Sequence, residues 1–196
     1  MKQYVVISLA AVVLSGCLDK SEQNAALATS INAIASMEVN KKSPDMAVKS
    51  WWRLKDAGAA MFVEACKNYV SMQGPYLDKL SELSTPDIYS DPSCSETADA
   101  FDRQITKVDV QSDTRAVVMA QIRNTTPPEA GAELTGDDRK RKEAGEAFQY
   151  VLERSDSKAD WKISEVSTRS SWAGDWDRIF QKPTPVSNSW VYNAQQ

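Results

Sequence analysis

Up to residue 166 the apolar residues change their period once, and this change restricts the fold more than any other feature. Up to residue 83 they recur three and four apart, and between residues 105 and 166 they alternate. Helices first and strands afterwards imply an α+β arrangement, because a βαβ chain would switch period repeatedly. The helical part begins at Ser43-Pro44-Asp45, with a Ser at the N-cap, Pro at the first helical position and Asp in the first turn. Ala47, Trp51 and Leu54, joined by Val48 and Trp52, form one broad apolar face, with Lys49, Arg53 and Lys55 outside it. Gly58 is expected to break or cap this helix. A second helix is expected over residues 59–70, with Met61, Phe62, Ala65 and Tyr69 in register and Gly74-Pro75 as its stop, and a third over 76–83.

Residues 85–95 read as loop, rich in Pro, Ser and Asp. Strands are expected over 105–110 and 115–123, the latter with Ala116, Val118, Ala120 and Ile122 on one face and Val117 and Met119 on the other. Residues 129–145 are polar and Gly-punctuated, which predicts an exposed loop or mobile hairpin tip. Phe148, Tyr150 and Leu152 alternate in a strand over 146–154, and a polar turn at 155–160 joins it to a strand over 161–166 as an antiparallel hairpin. Beyond it, Trp172, Trp176 and Phe180 fall at helical spacing, followed by prolines and Trp190. There is no long internal repeat.

With 196 residues, 42% hydrophobic and 26% charged, the chain has the composition of one ordinary globular domain rather than of a disordered one. It contains no histidine. That removes Ser-His-Asp and Cys-His catalysis, His-based zinc chemistry and His general acid/base chemistry, leaving carboxylate, Lys, Tyr or isolated Cys mechanisms. No catalytic motif, metal-ligand spacing or cofactor fingerprint is present, so no catalytic residue, metal or cofactor is expected. The formal charge of −4 argues against a nucleic-acid partner, and the one dense basic run, residues 139–142, is flanked by Asp137, Asp138 and Glu143.

The N-terminus carries Lys2 and then an apolar or small run over residues 5–14 broken only by Ser8. Such a run is shorter than the roughly 20 residues a spanning helix needs and reads as the core of a signal peptide. It ends in Leu14-Ser15-Gly16-Cys17, which resembles the lipobox of bacterial lipoproteins, whose cysteine is acylated and becomes the new N-terminus. The resemblance implies a cleaved leader (1–16), a lipidated tether from Cys17 (17–42) and a cell-envelope location. Two or more acyl chains, at about 0.8 kcal/mol per buried methylene, suffice for stable anchoring. By resemblance to lipoprotein sorting, Leu18 after the cysteine points to the periplasmic face of the outer membrane, while Asp19 keeps the inner membrane open. In the tether, Ala26, Ser30, Ala33 and Met37 share a helical face, and helix and disorder are both compatible with the composition. Cys66 and Cys94 remain as a pair in a compartment where disulfides persist; two separate buried thiols are the alternative.

The helix opening on Ser43-Pro44-Asp45-Met46-Ala47-Val48 and the late strand with Trp161-Lys162-Ile163 resemble the nuclear-transport-factor-two-like superfamily over residues 43–167. That resemblance implies N-terminal helices packed on a curved, cone-like antiparallel sheet whose open mouth often holds a pocket, with residues 168–196 as a C-terminal aromatic tail. No catalytic motif of the superfamily is matched. Trp51 and Trp52 diverge by about 100° on a helix, so either both pack in the core or one lines a pocket mouth with Tyr150 and Trp161. Trp172, Trp176 and Trp190 lie beyond the domain and either fold back over the sheet or contact a partner. Two functions follow as expectations. One is a noncatalytic, membrane-tethered binding or adaptor domain for an envelope protein or small hydrophobic ligand. The other is an enzyme using Asp, Glu or Tyr as acid/base in the cone pocket.

Overall fold

The structure, a computed structural model, describes residues 18–68, 74–88, 94–95, 97–169 and 174–180. It is α+β. Among the described residues, four helices accompany a five-stranded antiparallel sheet that is not closed: α1 (Leu18–Ala35), α2 (Pro44–Lys67), α3 (Gly74–Leu83), β1 (Phe101–Ser112), β2 (Arg115–Asn124), α4 (Gly136–Ala144), β3 (Glu146–Glu153), β4 (Lys162–Arg169) and β5 (Trp176–Arg178). The strands lie in sequence order, β1-β2-β3-β4-β5, each antiparallel to its neighbour. Each strand thus lies beside the one before it, a meander without a crossover, although the β2–β3 connection is long enough to hold α4.

Ser43 takes the extended N-cap conformation, but its hydroxyl makes no capping bond; it donates to the Asp45 carboxylate at 2.6 Å instead. That bond, with Lys49 one turn on, holds the Asp45 carboxyl below the usual carboxylate range, outweighing partial burial. The expected break at Gly58 is absent, because α2 runs unbroken through it. Gly58 serves a close approach. A Cβ built there would stand 2.4 Å from Tyr76 Cε2, so the missing side chain lets α3 lay its tyrosine ring against α2.

The segment read as a tether differs as well. From Leu27 onward α1 is docked, with Leu27 and Ile34 buried in the common core and Ile31 packed against it. Ala26 and Ala33 face solvent. Burial follows apolar area, so the large aliphatic residues at i, i+4 and i+7 turn inward and the stripe of small residues stays out. Asn40 N–H then donates to Ser50 Oγ at 2.9 Å, and Arg53 donates to the Glu38 carbonyl, fixing the return of the chain along α2.

One sheet face carries Ala116, Val118, Ala120, Tyr150, Leu152, Ile163 and Val166 into the core with Trp51, Leu54, Met61 and Leu83 from the helices. Ile163 and Val166 are three apart yet both point inward. The register slips between Val151 and Leu152, placing an extra β4 residue, Ser164, opposite that step and restoring the inward direction. Thr85 N–H donates to the Ile163 carbonyl at 2.9 Å, joining the end of α3 to β4.

Residues 129–145 are not all loop, since α4 forms within them. Thr135 caps it by accepting from Asp138 N–H at 3.1 Å, and no α4 residue is buried. Gly145, at φ 68°, ends it where a Cβ would meet the Ile122 carbonyl at 2.4 Å. The helical spacing read at Trp176 and Phe180 is likewise overturned. Trp176 opens β5, which pairs with β4 through Arg169, because edge backbone groups gain partners there that an isolated helical turn lacks.

Candidate functional site

Between α2, α3 and the core face of the sheet lies a cavity of about 380 Å³, within the range of small-molecule pockets. Helix α2 contributes Trp51, Trp52, Lys55, Gly58 and Phe62 at three- and four-residue spacing, and α3 contributes Tyr76. The sheet supplies Phe101 and Arg103 from β1, Ile122 from β2, and Phe148 and Tyr150 from β3. The chain after β5 adds Phe180. All four phenylalanines of the protein line this one space. Away from this space the buried core is mostly aliphatic, with Trp161 as its one large ring among the described residues.

The rings hold one another at defined angles. Trp52 and Tyr150 meet edge to face, with centroids 6.0 Å apart, as do Phe62 and Tyr76 at 5.4 Å and Trp51 and Phe180 at 5.9 Å. Trp52 Nε1–H donates to the Tyr150 hydroxyl at 2.8 Å, a buried bond between residues 98 apart in sequence. Two cations lie on ring faces: Lys55 Nζ is 5.0 Å from the Phe180 centroid and 5.8 Å from that of Trp51, and the Arg103 guanidinium is 5.0 Å from that of Phe101. Lys55 also donates to the Tyr76 hydroxyl at 3.1 Å. Arg103 grips Asp56 with two bonds of 2.7 Å each, tying β1 to α2 beside the cavity.

Burial pushes the Tyr150 hydroxyl up to about 12, although the Trp52 hydrogen bond and the charge of Arg103 act in the opposite direction. Tyr150 is therefore a neutral donor near neutral pH, not a base. Asp56 is engaged by Arg103, and Asp99 accepts from the Thr126 hydroxyl at 3.1 Å. Among the described residues no group of three or more Cys, Asp or Glu is placed to hold a metal ion. A second hollow of about 430 Å³, near Glu38, Lys41, Lys42, Arg53 and Asp160, is lined by surface charges that pair with one another, Lys42 with Asp160 at 2.8 Å.

Of the four residues proposed to line a pocket, Trp51, Trp52 and Tyr150 share the cavity and Trp161 does not. Antiparallel pairing explains this. The start of β4 lies beside the end of β3, Lys162 opposite Glu153, whereas Phe148 at the beginning of β3 faces the cavity. Trp161 is buried at the other end, where Arg154 stacks 4.2 Å over its ring and its N–H donates to the Lys41 carbonyl. Trp176 is on edge strand β5 and is 38% exposed. Cys17, Trp172 and Trp190 lie outside the described residues.

Cys66 and Cys94 are at disulfide distance, their Cα atoms 5.7 Å apart. The link joins the last turn of α2 to the stretch containing Ser95, Thr97, Ala98 and Asp99, which forms part of the cavity wall. Sequence reasoning placed the cysteines but did not connect them to the cavity. It also missed Arg103 and Asp56, whose pairing spans two elements, and the four phenylalanines, which lie far apart in sequence and meet only in the fold.

No helix among the described residues is long and apolar enough to cross a membrane. No family model, curated protein or solved structure matches this chain.

Proposed function

We propose that the protein is an envelope lipoprotein, anchored through Cys17, whose α+β domain binds a small, largely apolar ligand in the aromatic cavity without transforming it. The observation that carries this reading is the cavity: eight aromatic side chains around about 380 Å³, with its charged groups engaged in building the wall. The nuclear-transport-factor-two-like cone belongs to the same proposal, and a pocket between the helices and the sheet face is what such a fold would provide. Leu14-Ser15-Gly16-Cys17 supports the anchor, and Leu18 supports the periplasmic face of the outer membrane. A catalytic reading would draw on Tyr150, Tyr76, Asp56 or Asp99, of which Tyr150 is held by Trp52, Tyr76 by Lys55, Asp56 by Arg103 and Asp99 by Thr126.

Organic extraction of the detergent-purified protein, followed by mass spectrometry, tests the binding reading. A near-stoichiometric small molecule is expected from the wild type and a smaller yield from Phe148→Trp, which narrows the cavity. Extracts that match between the two proteins would sink it. Membrane fractionation of wild type and Cys17→Ala tests the anchor separately, since only the wild type should partition with membranes.

A further inference from the structure

Tyr150 is buried, with 2% of its surface exposed, and it stands in the cavity wall. The single hydrogen bond at its hydroxyl, among the described residues, is the one it accepts from Trp52 Nε1–H. A tyrosine hydroxyl is both acceptor and donor. The acceptor half is satisfied from α2, and the donor half meets no acceptor among the described residues. Buried polar groups that stay unpaired cost stability, so a donor left over in the wall of a cavity calls for a partner inside it.

The neighbouring charges narrow the partner further. Positive ligands bind aromatic cavities through ring faces, but Lys55 already stands over Trp51, Tyr76 and Phe180, and Arg103 over Trp52 and Phe101. A cationic ligand would meet like charge on those walls. An anion would have to leave water for a ring-lined space whose guanidinium is already committed to Asp56.

Resting on the cavity as the binding site, we infer that the ligand is an uncharged, ring-bearing molecule with one oxygen acceptor, a carbonyl, ether or hydroxyl oxygen, that takes the proton of Tyr150. Trp52 is the positioning residue. Its indole N–H occupies the phenol's lone pair, leaving the O–H to turn toward the cavity, and the edge-to-face contact at 6.0 Å fixes the ring. The rings select for a flat apolar body and the hydroxyl selects for one oxygen upon it.

The test uses three fluorescent probes on the intact protein: propionyl-dimethylaminonaphthalene, propyl-dimethylaminonaphthalene, in which a methylene replaces the carbonyl, and the corresponding naphthoate. The ketone should bind about tenfold tighter than the analogue that lacks its oxygen, and tighter than the carboxylate. Tyr150→Phe, which keeps the ring, should erase the tenfold preference while leaving the affinity for the carbonyl-free probe within twofold. Circular dichroism confirms that the variant is folded, and the emission of the bound ketone in the wild type gives a second readout, shifted to the red by the phenol and shifted back in the variant. Equal binding of the ketone and the carbonyl-free probe by the wild type would overturn the acceptor assignment but leave the cavity reading standing. A carboxylate preferred over the ketone would overturn the uncharged assignment. No saturable binding of any probe would overturn both the inference and the cavity reading beneath it.

Discussion

Replacing Gly58 by Ala sets two effects of known sign against each other. In the middle of a 24-residue helix, Ala is favoured over Gly by about 1 kcal/mol through backbone entropy. The added Cβ would meet Tyr76 Cε2 at 2.4 Å, Cδ2 at 2.8 Å and Cζ at 3.3 Å. The ring has little room to retreat, being 2% exposed, in edge-to-face contact with Phe62 and hydrogen-bonded through its hydroxyl to Lys55. Overpacking of this kind costs about 1–3 kcal/mol, so Gly58→Ala should lose roughly 0–2 kcal/mol net, with nothing gained from its better helix propensity. For a chain of this length, each kcal/mol shifts the melting temperature by about 2–4 °C. Urea denaturation of four proteins gives the decisive readout: wild type, Gly58→Ala, Tyr76→Leu and the double variant. Leucine lacks the atoms at Cε2 and Cζ, so in the Tyr76→Leu background the same Gly58→Ala change should become neutral or stabilising. A Gly58→Ala protein more stable than the wild type by the full ~1 kcal/mol of helix propensity, or an equal effect in both backgrounds, would refute the close-approach reading.

Three further outcomes are expected. Cys66 and Cys94 are separated by 28 residues, and opening a loop of that size costs about 3–4 kcal/mol in the chain-entropy model, so Cys66→Ser, Cys94→Ser and the double variant should lose similar stability by urea denaturation. Because the link holds part of the cavity wall, these variants should also bind the ketone probe more weakly; unchanged affinity would remove the cavity from the role of the disulfide. Tyr150 titrates near 12 when folded and near 10 when unfolded, so its contribution is complete below pH 10 and is lost as pH rises toward 12. Tyr150→Phe should show a smaller fall in stability across that window in pH-dependent urea titrations. Asp45 is depressed when folded, so its contribution is present above the ordinary Asp range and is lost as pH falls through its folded value; Asp45→Asn should flatten the acid limb of the same profile.

Elements with a dense periodic signal could be read from sequence, and those made by long-range contact could not. Ser43-Pro44-Asp45 and the Trp51, Leu54 face announced α2, and alternation announced β2 and β3 to within a residue or two. Gly58 looked like a stop because local propensity was the only information available, whereas its cause is Tyr76 on another helix. Helix α4 lacked any apolar face to create a period, leaving only its Thr135 cap as a clue. In α1, the small residues traced a stripe while the burial of Leu27 and Ile34 depended on helices not yet placed. The site divides in the same way. Trp51, Trp52 and Tyr150 could be proposed from aromatic character, but excluding Trp161 required the antiparallel register of β3 and β4. Pairing Arg103 with Asp56 required β1 to lie against α2.

The central claim is that the ring-lined space binds and does not react. Titrating the intact protein with the uncharged ketone probe while following tryptophan fluorescence tests it most directly, because Trp51 and Trp52 both line the cavity. Saturable one-to-one quenching is predicted in the wild type, with weaker affinity in Phe148→Trp and the probe recovered chemically unchanged after prolonged incubation. Quenching that fails to saturate, keeps the same affinity in Phe148→Trp, or is accompanied by conversion of the probe would contradict it.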